Sequence, residues 1–196
     1  MPAFRSIALP LALAALFLAS GCATFPQFGK PKPKPLPSPP PVTEKRPSYW
    51  NGDGVAGDPS IVVDLGDQRA FFYRGDQLVG EAVVSSGKKD FETPPGAYQV
   101  IQKDKEHVSN LYGSFVDEGG EVVKSNVDVS KDKPPEGATF KGAKMRYFLR
   151  FTGGYGMHAG RVPGYRASHG CVRLPGTMAQ HFFENAEIGT PVTVRE

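Results

Sequence analysis

Residues 60–85 have the sequence SIVVDLGDQRAFFYRGDQLVGEAVVS, in which three apolar runs are separated by short polar turns. The first run, Ser60 to Leu65, is rich in β-branched residues, which favour strands. Gly66-Asp67-Gln68 and Arg74-Gly75-Asp76 are turn sequences that lead into the second and third runs. Three short strands joined by tight turns predict an antiparallel meander.

The rest of the body adds further strands and one helix. Gly96 to Ile101 follows a rigid Thr-Pro-Pro corner, Met145 to Phe151 alternates charged and bulky residues, and Thr190 to Arg195 closes the sequence. A helix is predicted with Thr177 as its cap and Gly189 after its end. Its apolar side comprises Met178, Phe182, Phe183 and Ala186. The expected fold is therefore mainly β, with one or two short helices.

Residues 103–144 differ from this pattern because they are polar and glycine-rich, with only scattered apolar residues. We interpret them as a long insertion that forms a flap, with a short hairpin around Gly119-Gly120. Tyr112 and this insertion are expected to form a lid over the site described below. His107 and His181 are interpreted as structural or solvated.

Residues 1–21 have the pattern of an export signal. Arg5 precedes the apolar run Ile7 to Ala19, and small residues lead to Cys22. This resembles a lipoprotein signal in which Cys22 is lipidated, although Ala19 stands where such signals usually carry Leu. Ordinary cleavage that leaves a free Cys22 is the alternative. We expect an outer-membrane lipoprotein at the periplasmic face of the envelope. Globomycin should then cause its precursor to accumulate. Unaffected processing would exclude Cys22 as the anchor.

Residues 22–57 are predicted to be a lipidated N-terminus and a linker. The sequence PKPKPLPSPPP at residues 31–41 favours extended polyproline II, so about 20 residues reach roughly 60 Å. The linker also carries the basic excess: the whole chain has a net charge of +3, whereas the 17 basic and 19 acidic residues from Pro47 onward give −2. Nucleic acid is therefore excluded as a partner, because its phosphates require a clustered basic face.

Two histidines and a cysteine lie within 14 residues: His158 in GMHAG (residues 156–160), and His169 and Cys171 in SHGCVRLP (residues 168–175). A cysteine attacks as its thiolate, an imidazole can accept the proton, and the amides of Gly170 and Cys171 can form an oxyanion hole. From the residues alone, three interpretations stay open. They are a Cys171 nucleophile with a histidine base, a zinc site with an unusual H-x-C spacing and no fourth ligand nearby, and an inert cysteine with structural histidines.

The same segments carry a family resemblance. The SHGCVRLP sequence after Met157-His158-x-Gly160 resembles the active-site signature of the L,D-transpeptidases with a YkuD-type domain. Gly87, the Thr93–Gly96 corner and the ending GTPV are similar to further ordered motifs of that family. The resemblance covers residues 58–196 and implies an L,D-transpeptidase-like β-sandwich as the catalytic domain, with a cleft at one side.

The resemblance also implies roles for single residues. Cys171 matches the nucleophile and His158 its base, oriented by the carbonyl of Ala159 or Gly160. His169 and Gly170 match the loop that shapes the oxyanion hole.

The expected substrate-binding residues come from the family comparison and from their proximity to the motif. They are Ser168, Arg173, Tyr147, Tyr155 and Met157. For the two tyrosines and Met157, simple packing is the alternative. Ser168 also matches the residue that supports the catalytic loop, and Arg173 stands where many members carry Asn. Arg161 and Arg166 either attract an acidic peptide or are solvated loop charges.

The chemistry implied by the resemblance is acyl transfer through a cysteine thioester on tetrapeptide stems of peptidoglycan. An acceptor stem gives a 3–3 cross-link, and the lysine of a wall-anchored lipoprotein gives protein attachment. The alternative with water as acceptor is an L,D-carboxypeptidase or endopeptidase on the same scaffold, and a non-catalytic wall-binding lipoprotein is a third class. The expected partners are stem peptides and, through Cys22, a membrane; no metal or organic cofactor is expected.

Overall fold

The computed structural model describes residues 47–196, so the predicted signal peptide, Cys22 and most of the predicted linker lie outside the described residues. Thirteen strands and one helix make up the described part, in which no helix is long and apolar enough to cross a membrane. The strands are β1 Tyr49–Trp50, β2 Pro59–Asp64, β3 Arg69–Arg74, β4 Gln77–Val83, β5 Gly96–Gln99, β6 Gln102–Asp104, β7 Val108–Val116, β8 Val122–Asp128, β9 Thr139–Lys144, β10 Phe148–Thr152, β11 Tyr155–Ala159, β12 Val172–Leu174 and β13 Pro191–Arg195. The helix α1 spans Gly176–Asn185.

A six-stranded sheet forms one layer, in the order β1-β4-β3-β2-β13-β5. The predicted meander is confirmed, because β3 pairs antiparallel with both β2 and β4. The closing strand β13 lies between β2 and β5, parallel to β2 and antiparallel to β5. The sheet is therefore mixed, and the C-terminal strand lies second from one edge.

The folded body begins before residue 58, where the predicted linker ends. Strand β1 pairs with β4, so Trp50 lies opposite Gly80 at the sheet edge. The Trp50 ring contacts Phe72 edge-on, with the ring centroids 5.3 Å apart, and stacks on His181 at 4.9 Å. This aromatic packing holds the end of the predicted linker on the sheet, and it gives His181 the structural role expected of it.

A second sheet has the order β12-β11-β10-β6, and α1 packs against β11 and β10. The main core draws on both sheets and the helix, with fully buried side chains that include Ile61, Phe72, Leu149, Leu174 and Phe182. The expectation of a mainly β fold with one helix is confirmed. The second sheet brings β11 and β12 side by side in parallel, which positions the site described below.

Two local predictions differ from the structure. Strand β10 begins at Phe148, three residues after Met145, because Tyr147 adopts a left-handed backbone conformation (φ +60°) that interrupts a strand. The helix begins at Gly176 with Pro175 as its N-cap and no side-chain capping bond, so Thr177 is an exposed first-turn residue. Proline fixes the entry angle of the chain in place of the predicted hydroxyl cap.

The predicted insertion contains the third sheet, with the order β8-β7-β9. The hairpin around Gly119-Gly120 is present, since the amide of Gly120 donates to the carbonyl of Asp117 and the amide of Asp117 donates to the carbonyl of Glu121. The residues of this three-stranded sheet line the cavities of the candidate site, as the lid prediction requires.

Candidate active site

The parallel pair β11 and β12 positions His158 and Cys171. Met157 pairs with Val172 and both side chains are buried in the core, so the next residues, His158 and Arg173, face the opposite side of the sheet. Cys171 directly precedes β12 and lines the same cavity as His158 and Arg173. The structure thus brings together His158 and Cys171, the predicted base and nucleophile, with Arg173 of the predicted substrate-binding set.

The loop before Cys171 is held by hydroxyl groups. The Ser168 hydroxyl donates to the carbonyl of Cys171 and accepts a hydrogen bond from the amide of Gly170 (3.0 Å). The Thr93 hydroxyl donates to the carbonyl of Gly170 (2.6 Å) and accepts from the amide of Gly87 (3.0 Å). Ser168 and Thr93 are both nearly fully buried. The two hydroxyls therefore fix the backbone on either side of the thiol.

Gly170 is required at its position for two reasons. Its φ of +114° lies in a region that L side chains rarely adopt, and an added Cβ would come within 2.6 Å of the Tyr155 ring. Its amide, however, already donates to Ser168. In this conformation the Gly170 N–H is therefore engaged by Ser168, and its assignment as an oxyanion donor together with the Cys171 amide stays a prediction.

His158 is 7% exposed and hydrogen-bonds through Nδ1 to the carbonyl of Ala159 at 2.9 Å. The carbonyl of Ala159 was one of the two that were expected to orient the His158 ring. Because a carbonyl only accepts, Nδ1 carries the proton and Nε2 presents its lone pair in the neutral ring. Burial lowers the pKa of His158 from 6.5 to about 4. The hydrogen bond to Ala159 raises this pKa and so opposes the effect of burial only in part. At neutral pH His158 is therefore an uncharged imidazole able to accept a proton.

Cys171 is a free cysteine whose Sγ lies 3.8 Å from the carbonyl oxygen of Gly154. Burial raises the pKa of the thiol, and the Gly156 amide and the charges of Arg150 and Arg173 oppose this. The thiol is therefore protonated at neutral pH. Cys171 and His158 are thus a neutral thiol and a neutral imidazole that line the same cavity.

His169 connects the catalytic loop to the insertion. Its ring stacks on Tyr112 of β7 (centroids 4.8 Å apart, 17° between planes) and meets Phe91 edge-on at 4.7 Å. Lys131, in the segment after β8, lies 5.5 Å above the same Phe91 ring. Burial lowers the pKa of His169, which favours the neutral ring. His169 is thus positioned to hold the lid against the loop.

Two cavities meet at Cys171. The larger has a volume of about 530 Å³ and reaches His158, Arg173 and strands β8 and β9 of the insertion. The smaller has a volume of about 240 Å³ and reaches His107, Arg150 and Tyr155. Both cavities share Tyr112, Met145 and His169 with the thiol. A peptide could therefore pass across the sulfur from one cavity to the other.

The larger cavity is cationic. Its lining includes four permanently charged residues and no Asp or Glu: Lys141, Lys144, Arg161 and Arg173. Burial lowers the pKa of Arg173, whose side-chain carbons cover Gly160. Arg166, by contrast, donates to Glu196 and to the carbonyl of Leu65 and lines neither cavity. The surface around the thiol thus attracts acidic ligands although the body as a whole is weakly acidic.

The predicted substrate-binding residues fall into two groups. Arg173 and Tyr155 line the cavities, and Ser168 touches the larger one while its hydroxyl serves the loop. Met157 is 1% exposed within the core, and Tyr147 packs on Phe183 away from both cavities. Met157 and Tyr147 therefore have the packing role that was the stated alternative.

Sequence reasoning missed three residues of the site. Thr93 belongs to a noted motif, but its partner Gly170 lies 77 positions away in sequence. Arg150 was treated only as part of an alternating strand, yet it lines the smaller cavity. His107, interpreted as structural or solvated, lines that cavity too, paired with Asp104 and stacked on Phe148 at 4.2 Å. Each of the three meets the site through segments that are distant in sequence, such as Gly170 for Thr93 and the Cys171 loop for Arg150 and His107.

The zinc interpretation finds no support in the described part of the chain. There, no three His, Cys, Asp or Glu side chains are grouped so that they could hold a metal ion. His158 uses Nδ1 on a backbone carbonyl and His169 is stacked between aromatic rings. The nucleophile interpretation instead has its thiol, its neutral imidazole and an open cavity in one place.

The fold is mainly β, and a cysteine and a histidine line one cleft beside two parallel strands. The model of the YkuD family, the L,D-transpeptidase catalytic domain, matches residues 58–194. The chain belongs to this family. No curated protein sequence matches the chain.

Solved structures share the fold. An L,D-transpeptidase from Mycobacterium smegmatis is 18% identical, with a TM-score of 0.54 over 71% of this chain and 59% of that one. A cysteine-to-serine mutant of the Enterococcus faecium L,D-transpeptidase is 24% identical, with a TM-score of 0.51 over 71% and 50%. An L,D-transpeptidase in complex with imipenem is 19% identical, with a TM-score of 0.54 over 70% and 58%. This chain thus spans less than two thirds of each of those chains.

Proposed function

We propose that this protein is a peptidoglycan L,D-transpeptidase that works through a thioester on Cys171. The observation that carries the proposal is that the neutral thiol of Cys171 lines both cavities and shares the larger one with the neutral imidazole of His158. A nucleophile with access on both sides suits a reaction in which one peptide leaves and another arrives. Family membership supplies the reaction class.

The first step forms the thioester. Nε2 of His158 takes the thiol proton as Sγ of Cys171 attacks the carbonyl of an L-centre in a tetrapeptide stem. The resulting oxyanion accepts from the Cys171 amide, since the Gly170 amide is bonded to Ser168. Collapse breaks the peptide C–N bond, and the proton held on His158 passes to the departing amine. The products are an acyl-enzyme and a free D-amino acid.

The second step resolves the thioester. An acceptor amine attacks the thioester carbonyl, the C–S bond breaks, and His158 transfers the amine proton to the departing sulfur. The new amide is a 3–3 cross-link when the amine belongs to another stem, and a protein attachment when it is a lysine of a wall lipoprotein. With water in place of the amine, the same steps give an L,D-carboxypeptidase or endopeptidase.

The electrostatics of the larger cavity support an acidic peptide as substrate. Stem peptides carry several carboxylates, and the four cations of this cavity stand without a lining Asp or Glu. Opposite charge raises the local concentration of such a ligand. The export and lipidation pattern of residues 1–22 places the enzyme, in this proposal, at the periplasmic face of the outer membrane, where the wall is in reach of its linker.

The test is incubation of the purified protein with disaccharide-tetrapeptide, followed by mass spectrometry of the products. We expect a dimer formed with loss of one D-Ala. Loss of D-Ala without dimer would mean that water is the acceptor, and an unchanged substrate would contradict the proposal.

Cys171→Ala should abolish product formation while the fold is retained, as checked by circular dichroism. Turnover by this variant would refute the nucleophile assignment. A carbapenem should also add its mass to the wild type and not to Cys171→Ala, because an accessible, activated thiol opens the β-lactam ring. One of the solved structures of similar fold is a complex with imipenem, which makes this class of compound the probe to use.

A further inference from the structure

Arg150 is the permanently charged residue of the smaller cavity. Among the residues that line this cavity in the described part of the chain, it is the one Lys or Arg, and no Asp or Glu stands beside it there. Its positive charge reaches Cys171 and lowers the pKa of the thiol. The reaction steps above leave this arginine without a role.

The guanidinium is held in place before any ligand arrives. Nε donates to Oε1 of Gln102 (2.7 Å) and Nη1 donates to the carbonyl of Gly153 (2.7 Å). The group also lies 5.0 Å above the Phe148 ring. Neither hydrogen bond uses Nη2, so its two N–H donors stay available for a carboxylate. A fixed arginine loses little side-chain entropy when it binds, which favours its use in recognition.

The size of the cavity limits the ligand. Its 240 Å³ corresponds to the volume of about eight water molecules at about 30 Å³ each. One small amino-acid residue with its terminal carboxylate fits this space, whereas the longer acyl part of a stem peptide needs the 530 Å³ of the larger cavity. The sulfur lies between them, which is where the scissile carbonyl must be.

We infer that Arg150 binds the C-terminal carboxylate of the departing D-amino acid and so selects donor peptides that end one residue beyond the scissile bond. This inference rests on the proposed function and deepens it, because it assigns the leaving group to the smaller cavity. Arg150 is then a specificity residue whose ligand is a single carboxylate.

A purely structural role is the competing explanation, because Arg150 also holds the turn at Gly153 beside the carbonyl of Gly154 that contacts the thiol. The two explanations differ in one measurable respect. A structural role affects every donor equally, whereas carboxylate binding affects only donors that carry the carboxylate.

The experiment compares two donors, a tetrapeptide with a free terminal carboxyl and the same peptide with a terminal carboxamide. The full chain is used as wild type, Arg150→Gln and Arg150→Lys. We expect the wild type to prefer the acid by about 10- to 100-fold in kcat/KM. Arg150→Gln should lose this preference mainly through a higher KM for the acid, with the amide changed less than about threefold. Arg150→Lys should restore part of the preference, since it keeps the charge without the fork.

Arg146→Gln is the matched control, because Arg146 is an exposed arginine that pairs with Glu106 and lines neither cavity. It should leave the acid-to-amide ratio unchanged. An equal ratio in wild type and Arg150→Gln, or a wild type without preference, would overturn the inference. If Arg150→Gln fails to fold, the acid-to-amide ratios of the wild type and of Arg150→Lys still test the inference.

A second readout separates this inference from the proposed function. Neutral iodoacetamide alkylates Cys171, and peptide mass mapping gives its rate in the presence of each tetrapeptide. The acid should protect Cys171 in the wild type at lower concentration than the amide, and Arg150→Gln should abolish the difference. Protection with this pattern but without any turnover would refute the proposed function and retain the carboxylate site; equal protection by both peptides would refute the site itself.

Discussion

His158 is an imidazole kept uncharged by burial, and this decides how the thiol is activated. A cysteine paired with a charged histidine exists as thiolate before substrate arrives. Here burial raises the pKa of Cys171 and lowers that of His158 to about 4, so both groups are neutral at pH 7. In the proposed mechanism the proton therefore moves during the attack, with His158 as general base rather than as the cationic partner of a preformed thiolate.

The pH dependence of acylation follows from this state. His158 acts only when neutral, so the rate should fall as the pH decreases through about 4 and stay level from about pH 5.5 to 8. Carbapenem acylation followed by intact mass between pH 3.5 and 8 measures this limb. His158→Gln should lower the rate at pH 7 by at least about 100-fold. A limb near 6.5 would instead show a solvated histidine.

At the residue scale, the sequence predicted the proposed nucleophile and base better than the residues that hold them in place. Cys171 and His158 are adjacent to a recognisable local pattern, and the structure places both on one cavity. The bond from the Gly170 amide to Ser168 was not predicted, because the sequence pattern assigned Ser168 only a general role in supporting the loop. Arg150 could not be found at all, since its cavity is created by the insertion.

At the scale of elements, the catalytic loop is anchored to the first sheet. Ser85 exchanges two backbone hydrogen bonds with Arg173, and the amides of Ala167 and Ser168 both donate to the carbonyl of Ser86. The Thr93 hydroxyl adds the link to Gly170. The loop that carries the thiol is therefore positioned by a segment about 80 residues earlier in the chain, and the corner at Thr93 is part of the site.

Thr93→Val tests this anchoring, since valine keeps the shape and removes both hydroxyl bonds. Burying the Gly87 amide and the Gly170 carbonyl without partners should cost about 1–3 kcal/mol in the free energy of unfolding. Acylation of Cys171 should slow by about tenfold or more because the loop is less well fixed. Urea denaturation and the carbapenem rate measure the two effects. Thr177→Val, at an exposed position without a capping bond, is the control and should change neither.

Most strands could be predicted from the sequence, but the pairing of strands that lie far apart in the chain could not. The alternation of residues 60–85 indicated the meander, and its pairing was confirmed because tight turns leave an antiparallel partner as the only one in reach. The parallel contacts of β13 with β2 and of β12 with β11 join segments far apart or separated by a long loop. Such pairs are selected by burial of the core as a whole, which a local pattern does not contain.

At the scale of the whole molecule, the charge that lines the larger cavity is opposite in sign to the net charge of residues 47–196. Residues 47–196 carry 17 basic and 19 acidic residues, yet the larger cavity is lined by four cations and no carboxylate. Lys141 and Lys144 come from β9 of the insertion, and Arg161 and Arg173 from the catalytic segment. The insertion therefore supplies two of the four cations of this cavity.

Replacing both insertion lysines, Lys141→Gln with Lys144→Gln, should raise KM for the tetrapeptide about three- to tenfold and leave kcat within about twofold, because exposed charges steer a ligand without touching the reacting atoms. The loss should shrink as salt is added, since charges on a surface are screened over about 10 Å at 0.1 M. The measurement is kcat/KM between 20 and 500 mM salt.

The matched control is Lys105→Gln with Lys133→Gln, which removes two exposed lysines that line neither cavity and gives the same net charge. If only the cavity pair alters KM, local potential controls capture of the substrate. Equal effects of both pairs would mean that net charge alone attracts the peptide. A lower kcat in the cavity pair would instead assign β9 a part in positioning the bound donor, because steering by itself cannot change a saturated rate.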